Sequence, residues 1–361
     1  MIDFPYSEKK LRKPCATCSL ESCSLIGNTP ILELCNTGSG SRLLLKMDCL
    51  NPTGSVKVRM ALEMIVAAEI SGELKPGGRI IEPTSGNTGL GLAFVASQRG
   101  YKFTAIVDHH AAKDKLRSMQ ALGAELVFVG DKESCVPSTS LRRAKAAEIV
   151  AETSDAWWPD QHNNPNNPAG YWQLAYELDE QIPEKVDVLV AAIGTGGTLC
   201  GTTEHLRKLG HTAESLAVEP EGSIIFGGVP GAYKQSGAGA PSGFKIGNNV
   251  RYNLIDHGVK VSDVKAFAVA RVLAREHGLM VGGTAGAAIY EGLRHLHEFQ
   301  AGTTMVVIVC DAGEKYLDTI FDTDWLQKNH LYSEVMERQV SRMLRAYGDS
   351  RAIASSFEVA G

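Results

Sequence analysis

The stretch that decides the fold is Val186-Asp187-Val188-Leu189-Val190-Ala191-Ala192-Ile193-Gly194-Thr195-Gly196-Gly197-Thr198. Its first eight residues are apolar except for Asp187, which is typical of a fully buried parallel strand. The glycines and threonines that follow stand ahead of a helical pattern through Leu206. Glycines allow close backbone approach, threonine hydroxyls donate hydrogen bonds, and a helix N-terminus adds positive potential. Residues 194–198 are therefore either a phosphate-binding cup or only a tight turn.

The same alternation of strand and helix continues on both sides of this stretch. Strands are predicted at Leu43–Met47, Arg79–Glu82, Phe103–Val107, Leu126–Val129, Ser215–Val218 and Thr304–Val309, separated by amphipathic stretches such as Met60–Ala68 and Lys115–Leu122. This pattern predicts an α/β fold with two doubly wound parallel sheets, one in each of two domains. Ligands bind such sheets at the carboxyl ends of the strands, so the active site is expected in the cleft between the domains.

Lys57 is the first candidate catalytic residue. It ends the run Asn51-Pro52-Thr53-Gly54-Ser55-Val56-Lys57 at a predicted strand-to-helix junction, after a candidate Ser N-cap. Val56 and Val58 flank it, whereas a lysine at a helix start is usually a solvated charge. An amine in apolar surroundings loses its charge readily, which suits it to Schiff-base chemistry.

A second loop, Thr84-Ser85-Gly86-Asn87-Thr88-Gly89, follows about one βα unit later. It is small, polar and glycine-rich and precedes an apolar helix, so its amides and hydroxyls can surround a carboxylate. A Schiff-base lysine and a carboxylate cradle together indicate an amino acid as substrate. Pyridoxal 5'-phosphate is the cofactor that offers both an aldehyde for Lys57 and a phosphate for residues 194–198.

These motifs together resemble the fold-type II pyridoxal-phosphate enzymes, specifically the cysteine synthase and cystathionine β-synthase group. The resemblance extends from about Leu25-Ile26-Gly27-Asn28-Thr29-Pro30 to Gly313-Glu314-Lys315-Tyr316. The family pattern Asn-Pro-x-x-Ser-x-Lys-Asp-Arg is present with Val58 in the usual aspartate position and Arg59 retained. The substitution keeps the lysine and changes its immediate surroundings.

The resemblance also implies a fold like that of the tryptophan synthase β chain and a role for each site segment. Asn87 is expected to hydrogen-bond the phenolic oxygen of the cofactor. The substrate carboxylate is assigned to Thr84, Ser85, Gly86, Thr88 and Gln161, and the cofactor phosphate to Gly194, Thr195, Gly196, Gly197 and Thr198. Residues 46–160 are expected to form the smaller domain, 1–45 plus 161–330 the larger one, and 331–361 a C-terminal tail.

Thr284, in Gly282-Gly283-Thr284-Ala285-Gly286, is the residue that the resemblance places against the pyridine nitrogen. A hydroxyl does not hold that nitrogen protonated as a carboxylate would, so the ring is a poorer electron sink. Loss of the Cα proton is then best coupled to departure of a β-substituent. The alternative interpretation is that Thr284 caps a helix over Ala285–Leu296.

The implied reaction is β-replacement on an O-activated L-serine. Lys57 forms the internal aldimine and, once the substrate amine has replaced it, removes the Cα proton. The β-leaving group departs to leave an aminoacrylate, and Lys57 returns the proton after a nucleophile has added at Cβ. Lys234, Lys245 and Arg251 lie in a glycine-rich region where family members shape the substrate entrance. These cations favour O-phosphoserine over O-acetylserine if they meet a phosphate leaving group; otherwise they are solvated loop charges.

Other activities stay open. The product is expected to be cysteine or a derivative such as S-sulfocysteine, while an amine nucleophile, as in diaminopropionate-type biosynthesis, or a cystathionine β-synthase reaction is an alternative. A catalytically weak paralogue that acts as a binding partner is an alternative of a different class, suggested by Val58 and the tail.

Composition indicates a metabolic enzyme of about two domains. The chain has 361 residues, 44% of them hydrophobic, and a net charge of −5 without a basic block, so nucleic acid is not an expected partner. Membrane-spanning and secretory segments are not expected, and the protein is predicted to be cytoplasmic. The family resemblance implies a homodimer.

The eight cysteines are expected to be thiols in that compartment. Cys15, Cys18 and Cys23 are spaced C-x2-C-x4-C, and Cys35 is the nearest candidate for a fourth ligand. No metal is predicted, and a metal or redox function of this cluster is the alternative. Cys49, Cys135, Cys200 and Cys310 lie in or beside apolar segments and are predicted to be small core residues.

Overall fold

The computed structural model describes residues 21–84, 86–131, 139–296 and 298–358, with side chains up to residue 346. The strands are β1 (Ile31–Asn36), β2 (Arg42–Lys46), β3 (Arg79–Pro83), β4 (Lys102–Asp108), β5 (Glu125–Val129), β6 (Ala156–Trp157), β7 (Val188–Ala192), β8 (Glu214–Pro220), β9 (His257–Val261) and β10 (Thr304–Ile308). The helices are α1 (Lys57–Ser71), α2 (Asn87–Arg99), α3 (Lys113–Ala121), α4 (Thr139–Glu152), α5 (Asn166–Ala169), α6 (Trp172–Gln181), α7 (Gly197–Lys208), α8 (Asp263–His277), α9 (Gly283–His295), α10 (Thr323–Lys328) and α11 (Glu334–Glu358). Short 3-10 helices lie at Ser22–Leu25, Asp48–Leu50, Pro52–Gly54, Tyr252–Leu254 and Gly313–Tyr316.

The strands form two sheets, each in its own compact unit. The larger sheet has the order β1-β2-β10-β7-β8-β9 and the smaller one β5-β4-β3-β6. All neighbours pair in parallel except β1, which runs antiparallel to β2 at the edge of the larger sheet. The predicted α/β class with parallel sheets is confirmed, and β1, β6 and β9 are strands that the sequence analysis did not predict.

Burial on both faces explains the apolar strand sequences of the larger sheet. Leu43 and Leu45 of β2 belong to a core cluster that also contains residues of α8 and α9, whereas Leu44 points away from that cluster. All three are at most 2% exposed. Because successive side chains of a strand point to opposite faces, burial of all three shows that both faces are covered, as in doubly wound folds.

The first unit contains the described residues of Met1–Ile26 together with Ile65–Pro159, and the second contains those of Gly27–Met64 and Asp160–Gly361. The division passes within α1. These units group residues 46–64 with the larger sheet, whereas the sequence analysis assigned them to the smaller domain. The predicted domain boundaries stay a prediction, and the hydrogen bonds described below explain why residues 46–64 pack with the second unit.

Helix α11 packs on α8 and β1 of the larger unit. Val340 and Leu344 of this helix are buried, whereas Val335 in its first turn is 68% exposed. Glu337 holds the helix by ion pairs with Arg271 at 2.6 Å and Arg275 at 2.8 Å on α8. In the part of the chain with described structure, no helix is both long enough and apolar enough to cross a membrane.

Candidate active site

The topology of the larger sheet brings two of the predicted site segments, and Cys310 with them, to one edge. The segment before Lys57 follows β2, the glycine-rich cup at residues 194–198 follows β7, and Cys310 follows β10. Strands β2, β10 and β7 are parallel neighbours. Their carboxyl ends therefore lie at the same edge, which is where ligands bind to sheets of this kind.

Lys57 is held by a backbone ladder that links distant parts of the chain. The amide of Val56 donates to the Cys310 carbonyl at 2.9 Å, and that of Ala312 donates to the Gly54 carbonyl at 3.1 Å. The Ser55 hydroxyl accepts a hydrogen bond from the Lys57 amide at 3.3 Å, as a residue that caps a helix does. The side chain of Lys57 is half-buried between the buried Val56 and Val58, so the apolar flanks that the sequence predicts are present.

The same segment after β10 also holds the residues before Thr284. The Gly282 amide donates to the Asp311 carbonyl at 3.0 Å, and the Gly313 amide donates to the Met280 carbonyl at 3.2 Å. Residues 310–313 thus lie between the segments that lead into α1 and α9. Helix α9 begins at Gly283 with Gly282 at the cap position. The predicted capping role of Thr284 is therefore wrong, because Thr284 lies inside the first turn.

Between these two helix starts lies the thiol of Cys310. The Thr284 hydroxyl is 3.2 Å from Cys310 Sγ, and Cys310 Sγ is 3.7 Å from Asp311 Oδ1. The Tyr316 hydroxyl donates to the other carboxylate oxygen of Asp311. Burial, together with the charge of Asp311, raises the pKa of the Cys310 thiol to about 12, although Thr284 and Lys57 oppose the shift. Cys310 is therefore a protonated thiol beside Thr284 and within electrostatic reach of Lys57.

A buried ion network fixes the first turn of α1. Arg59 donates to Asp48 Oδ2 at 2.7 Å and to Glu177 Oε1 at 2.7 Å, and Lys46 pairs with Glu177 at 2.7 Å. All four side chains are at most 4% exposed, and Thr29 donates to Asp48 at 2.6 Å. Burial alone would raise the pKa of Glu177, but hydrogen bonds and charge from Arg59 and Lys46 lower it to about 2. The charges of two cations and two carboxylates thus balance each other. Arg59, which joins them, is two residues from Lys57 in sequence.

The cup at residues 194–198 has free donors. The Thr195 hydroxyl accepts from Asn167 Nδ2 at 3.3 Å and from the Gly197 amide at 3.4 Å, so its own proton is left to donate. The amides of Gly196 and Thr198 have no acceptor among the described residues. Gly196 has φ 86°, and a Cβ there would overlap the backbone of Asn249. Free donors at the N-terminus of the 12-residue α7 are suited to binding an anion.

Gln161 is anchored beside this cup. Its carbonyl accepts from Asn167 Nδ2 at 2.5 Å and from Asn249 Nδ2 at 3.1 Å. Asn167 is fully buried and contacts Thr195 at the same time. The residue before Gln161, Asp160, has φ 43°, a strained conformation of the kind found at functional sites. The structure thus brings Gln161 and the cup together, as expected for groups that hold one ligand.

The loop at residues 84–88 belongs to the smaller unit and follows β3. The Thr84 hydroxyl accepts from the Gly89 amide at 3.0 Å and retains its own proton. A Cβ on Gly89 would lie 2.9 Å from the Thr84 side chain, which explains the glycine. Asn87 begins α2 and is half-buried. Ser85 lies outside the described residues.

Arg251 differs from the other predicted site residues, because its charge is already paired. Its guanidinium donates to Glu204 Oε2 at 2.8 Å, and its carbonyl accepts from the Cys200 thiol. Glu204 lies seven residues beyond the start of α7, about 10 Å along the helix from the cup. A leaving-group contact of Arg251 stays a prediction, and it would compete with this ion pair.

The arrangement fits pyridoxal 5'-phosphate. Residues 194–198 supply donors without acceptors, Lys57 supplies a half-buried amine, and Thr284 supplies a hydroxyl at the same sheet edge. Among the described residues, no group of three potential metal ligands lies together. Cys15 and Cys18 lie outside the described residues, and burial raises the pKa of the Cys23 thiol.

A family model described as pyridoxal-phosphate dependent enzyme matches residues 23–311. The chain belongs to this family. A protein of Sinorhizobium fredii named "Putative cysteine synthase" is 44% identical over 91% of this chain and 97% of its own length. The family assignment makes the protein a pyridoxal-phosphate-dependent enzyme, as the sequence analysis predicted.

Two solved structures of this family resemble the fold. The cysteine synthase of Entamoeba histolytica has a TM-score of 0.79 and 29% identity, and the alignment covers 92% of this chain and 97% of that one. The O-acetylserine dependent cystathionine beta-synthase of Helicobacter pylori has a TM-score of 0.73 and 33% identity, over 82% of this chain and 97% of that one. Both likenesses confirm the predicted cysteine synthase-like fold.

Two residues with contacts to the candidate site were not predicted from the sequence to lie there. Cys310 was predicted to be a core residue, since it follows an apolar strand, yet it lies against Thr284. Asn167 was quoted only as part of the Gln161 segment, although it joins Gln161 to the cup. In contrast, Cys49 and Cys200 are buried as predicted, and Cys135 lies outside the described residues.

Proposed function

We propose that the protein catalyses β-replacement on an O-activated L-serine and makes cysteine or a cysteine derivative such as S-sulfocysteine. The observation that carries this proposal is the placement of Lys57, Thr284 and the cup at one edge of the larger sheet, in a chain whose relatives are named cysteine synthases. The side chain at position 284 is a hydroxyl and not a carboxylate, and the thiol of Cys310 lies beside it. This chemistry favours elimination of a β-substituent over transamination.

Each residue then has a defined task. Pyridoxal phosphate, when bound, supplies an aldehyde and an electron-withdrawing ring. Lys57 holds the cofactor and moves the proton at the substrate Cα, while Thr195, Thr198 and the nearby amides bind the phosphate. Gln161 and the loop at residues 84–88 bind the substrate carboxylate, and Asn87 binds the phenolic oxygen.

The donor is proposed to carry a phosphate or an acetyl group. The loop at residues 222–228 is firmly anchored, because the fully buried Glu219 accepts from the Ile225 amide at 3.0 Å and the Phe226 amide at 3.1 Å. Lys245 is exposed, and no ion pair of its side chain is found among the described residues. Lys245 therefore has its charge available for an incoming phosphate, whereas Arg251 is already paired with Glu204.

A titration of the holoenzyme with O-acetylserine and O-phosphoserine, followed by absorbance, tests the activity and ranks the donors. A spectral change with either donor, followed by product formation with sulfide or thiosulfate, supports β-replacement. A cofactor spectrum that responds to neither donor would contradict it and favour the weak paralogue. Product formation only with homocysteine would favour the cystathionine reaction, which the Helicobacter pylori structure named above makes the second candidate.

The phosphate preference has its own test. Lys245→Ala is expected to lower kcat/KM for O-phosphoserine roughly 10-fold, with little change for O-acetylserine, which lacks the dianion. Arg251→Ala provides the comparison, because Glu204 already pairs with Arg251. Equal losses for both donors would indicate structural roles, and absence of phosphoserine activity in the parent enzyme would leave acetylserine as the donor.

A cytoplasmic homodimer completes the proposal. The described cysteines are all free thiols, which agrees with a reducing compartment. The dimer rests on the family resemblance, and light scattering of the purified protein measures it.

A further inference from the structure

The segment that follows β8 packs against the predicted phosphate cup. Strand β8 is the parallel neighbour of β7, so residues 222–240, here called the entrance segment, start at the sheet edge that carries the cup. The Gly239 amide donates to the Ile193 carbonyl at 2.7 Å, immediately before the cup. A Cβ on Gly194 would lie 2.8 Å from the Gly237 carbonyl oxygen, so the two backbones are in direct contact.

The entrance segment also reaches the residues that support Thr284. The Ser236 side chain hydrogen-bonds the hydroxyl of Tyr316. Tyr316 in turn donates to Asp311, whose carbonyl accepts the Gly282 amide two residues before Thr284. This part of the entrance segment therefore runs from the place assigned to the cofactor phosphate towards the place assigned to the cofactor ring.

Glu219, in β8, anchors the first turn of the entrance segment. Its carboxylate accepts the Ile225 amide at 3.0 Å and the Phe226 amide at 3.1 Å, and it also accepts from the Ser223 hydroxyl. Glu219 is fully buried. Hydrogen bonds from amides and hydroxyls to a buried carboxylate are charge-assisted and stronger than neutral ones. One side chain thus fixes the backbone at the start of the segment.

Ser223 extends this anchor to the part of the entrance segment that lies on the cup. The Ser223 hydroxyl accepts from the Ala240 amide at 2.9 Å, and the Ile224 amide donates to the Ala240 carbonyl at 3.0 Å. Ser223 is fully buried. A continuous hydrogen-bonded link therefore joins Glu219 to the residue after Gly239, and a change at Glu219 is transmitted to the residues packed on the cup.

Lys260 of β9 balances the charge of the anchor. Its ammonium group pairs with Glu219 and donates to the Ser223 carbonyl. The Lys260 side chain is 30% exposed, whereas Glu219 is fully buried, so the lysine supplies the counter-charge that a buried carboxylate requires. Every group of this anchor belongs to the protein itself. The entrance segment is therefore held in place before any substrate binds.

We infer that Glu219 is a positioning residue that holds the entrance segment in place and so keeps water from the substrate until the nucleophile arrives. This inference rests on the proposed function. Loss of the leaving group and of the Cα proton converts the donor to an unsaturated amino acid. Addition of hydrogen sulfide across its double bond gives cysteine, whereas reaction of its imine form with one water molecule gives pyruvate and ammonia. The position of the segment thus decides how much donor is lost to pyruvate.

The test compares two readouts of the holoenzyme. Hydrogen–deuterium exchange without substrate measures how often residues 222–228 and 237–240 open, and the pyruvate-to-cysteine ratio measures how often water reaches the substrate. The ratio is taken at a fixed sulfide concentration with O-acetylserine or O-phosphoserine, whichever the parent turns over faster. Both readouts follow the open fraction of the segment. Glu219→Gln is expected to raise each by about the same factor, roughly 10- to 150-fold for one charge-assisted hydrogen bond.

Two further variants separate positioning from a general loss of stability. Ser223→Ala breaks only the link to Ala240, so exchange is expected to rise in residues 237–240 and to stay near the parental rate in residues 222–228. Glu214→Gln changes the other end of β8, where Glu214 forms a half-exposed pair with His257, and is expected to leave both readouts unchanged. Cofactor affinity is expected to stay near that of the parent in all three variants.

Parental exchange in both Glu219→Gln and Ser223→Ala would show that Glu219 does not hold the segment. Faster exchange with a parental pyruvate-to-cysteine ratio would show that the segment does not exclude water. Either result overturns the inference and leaves the proposed function intact. Ser223→Ala supplies the comparison if Glu219→Gln does not fold. A parent enzyme that forms neither pyruvate nor cysteine from either donor would contradict the proposed function and, with it, this inference.

Discussion

The cup at residues 194–198 and the surroundings of Lys57 lie at the same edge of one sheet, but they are built in opposite ways. The cup is almost contiguous in sequence, and Thr195, Gly196 and Thr198 supply its donors from one turn. The surroundings of Lys57 come from residues 54–56, 280–282 and 310–313 and from the network that joins Arg59 to Glu177. The structure of the cup is therefore expected to tolerate substitutions elsewhere in the chain, whereas the position of Lys57 depends on segments that are distant in sequence.

The largest effect is expected at Lys57 itself. Loss of an acid–base group costs roughly 100- to 10,000-fold in rate, and Lys57→Ala also removes the covalent anchor, so turnover is expected to fall below detection. Mass spectrometry after borohydride reduction should find the cofactor on Lys57. Lys75→Ala, at an exposed lysine of the smaller unit, is the control. A label on another lysine would show that Lys57 is not the residue that binds the cofactor.

The buried network is expected to give the next largest effect, on stability. Arg59→Ala leaves two carboxylates buried without their main partner and is expected to cost about 3–5 kcal/mol in the free energy of unfolding, measured with urea. Arg42→Ala breaks a half-exposed pair with Glu33 and is expected to cost at most about 1 kcal/mol. Similar losses in the free energy of unfolding for the two variants would show that the network does not stabilise the start of α1, where Lys57 lies.

The dependence of stability on pH tests the same network without a substitution. The pKa of Glu177 is about 2 in the folded protein and near 4.5 otherwise. A depressed pKa stabilises the fold above the unfolded value, and this contribution is lost as pH falls from about 4.5 to 2. Glu177→Gln is expected to flatten that part of the stability profile. An unchanged profile would assign the acid sensitivity to other carboxylates.

The cup is expected to show its effect in cofactor affinity. A hydroxyl that donates to a phosphate dianion contributes about 1.5–3 kcal/mol, so Thr195→Ala and Thr198→Ala are each expected to weaken binding roughly 10- to 150-fold. Thr202→Ala is the matched control, because its buried hydroxyl on the same helix has no hydrogen-bond partner within the described part of the chain. Cofactor retention equal to the parent in both cup variants would place the phosphate elsewhere.

The last expected effect is on the chemical reactivity of Cys310, a property outside turnover, stability and cofactor affinity. A pKa of about 12 instead of 9 leaves about 1,000-fold less thiolate at pH 8. The greater nucleophilicity of a more basic thiolate recovers roughly 20-fold. Alkylation of Cys310 is thus expected about 50-fold slower than that of a free thiol, with a rate that still rises above pH 9. Peptide mass spectrometry measures it, and rapid labelling at pH 8 would contradict the raised pKa.

The sequence predicted those parts of the molecule that depend on neighbouring residues. Strands such as β7 and β10 were recognisable because burial on both faces demands unbroken apolar runs. The cup was recognisable because its glycines, threonines and helix start are adjacent. Strand β9 was not, since His257 and Lys260 interrupt its apolar pattern, and β6 has only two residues.

The residues of Val186–Thr198 and the run ending at Lys57 by themselves determined the α/β class and predicted both the phosphate cup and the catalytic lysine. Only the tertiary structure decided that Cys310 faces Thr284 and that Arg59 is neutralised by Asp48 and Glu177. The physical reason is sequence separation: Cys310 is 26 residues from Thr284, and Arg59 is 118 from Glu177. A thiol after an apolar strand has the same local pattern in a core as at a site, and only the chain's folded path distinguishes the two.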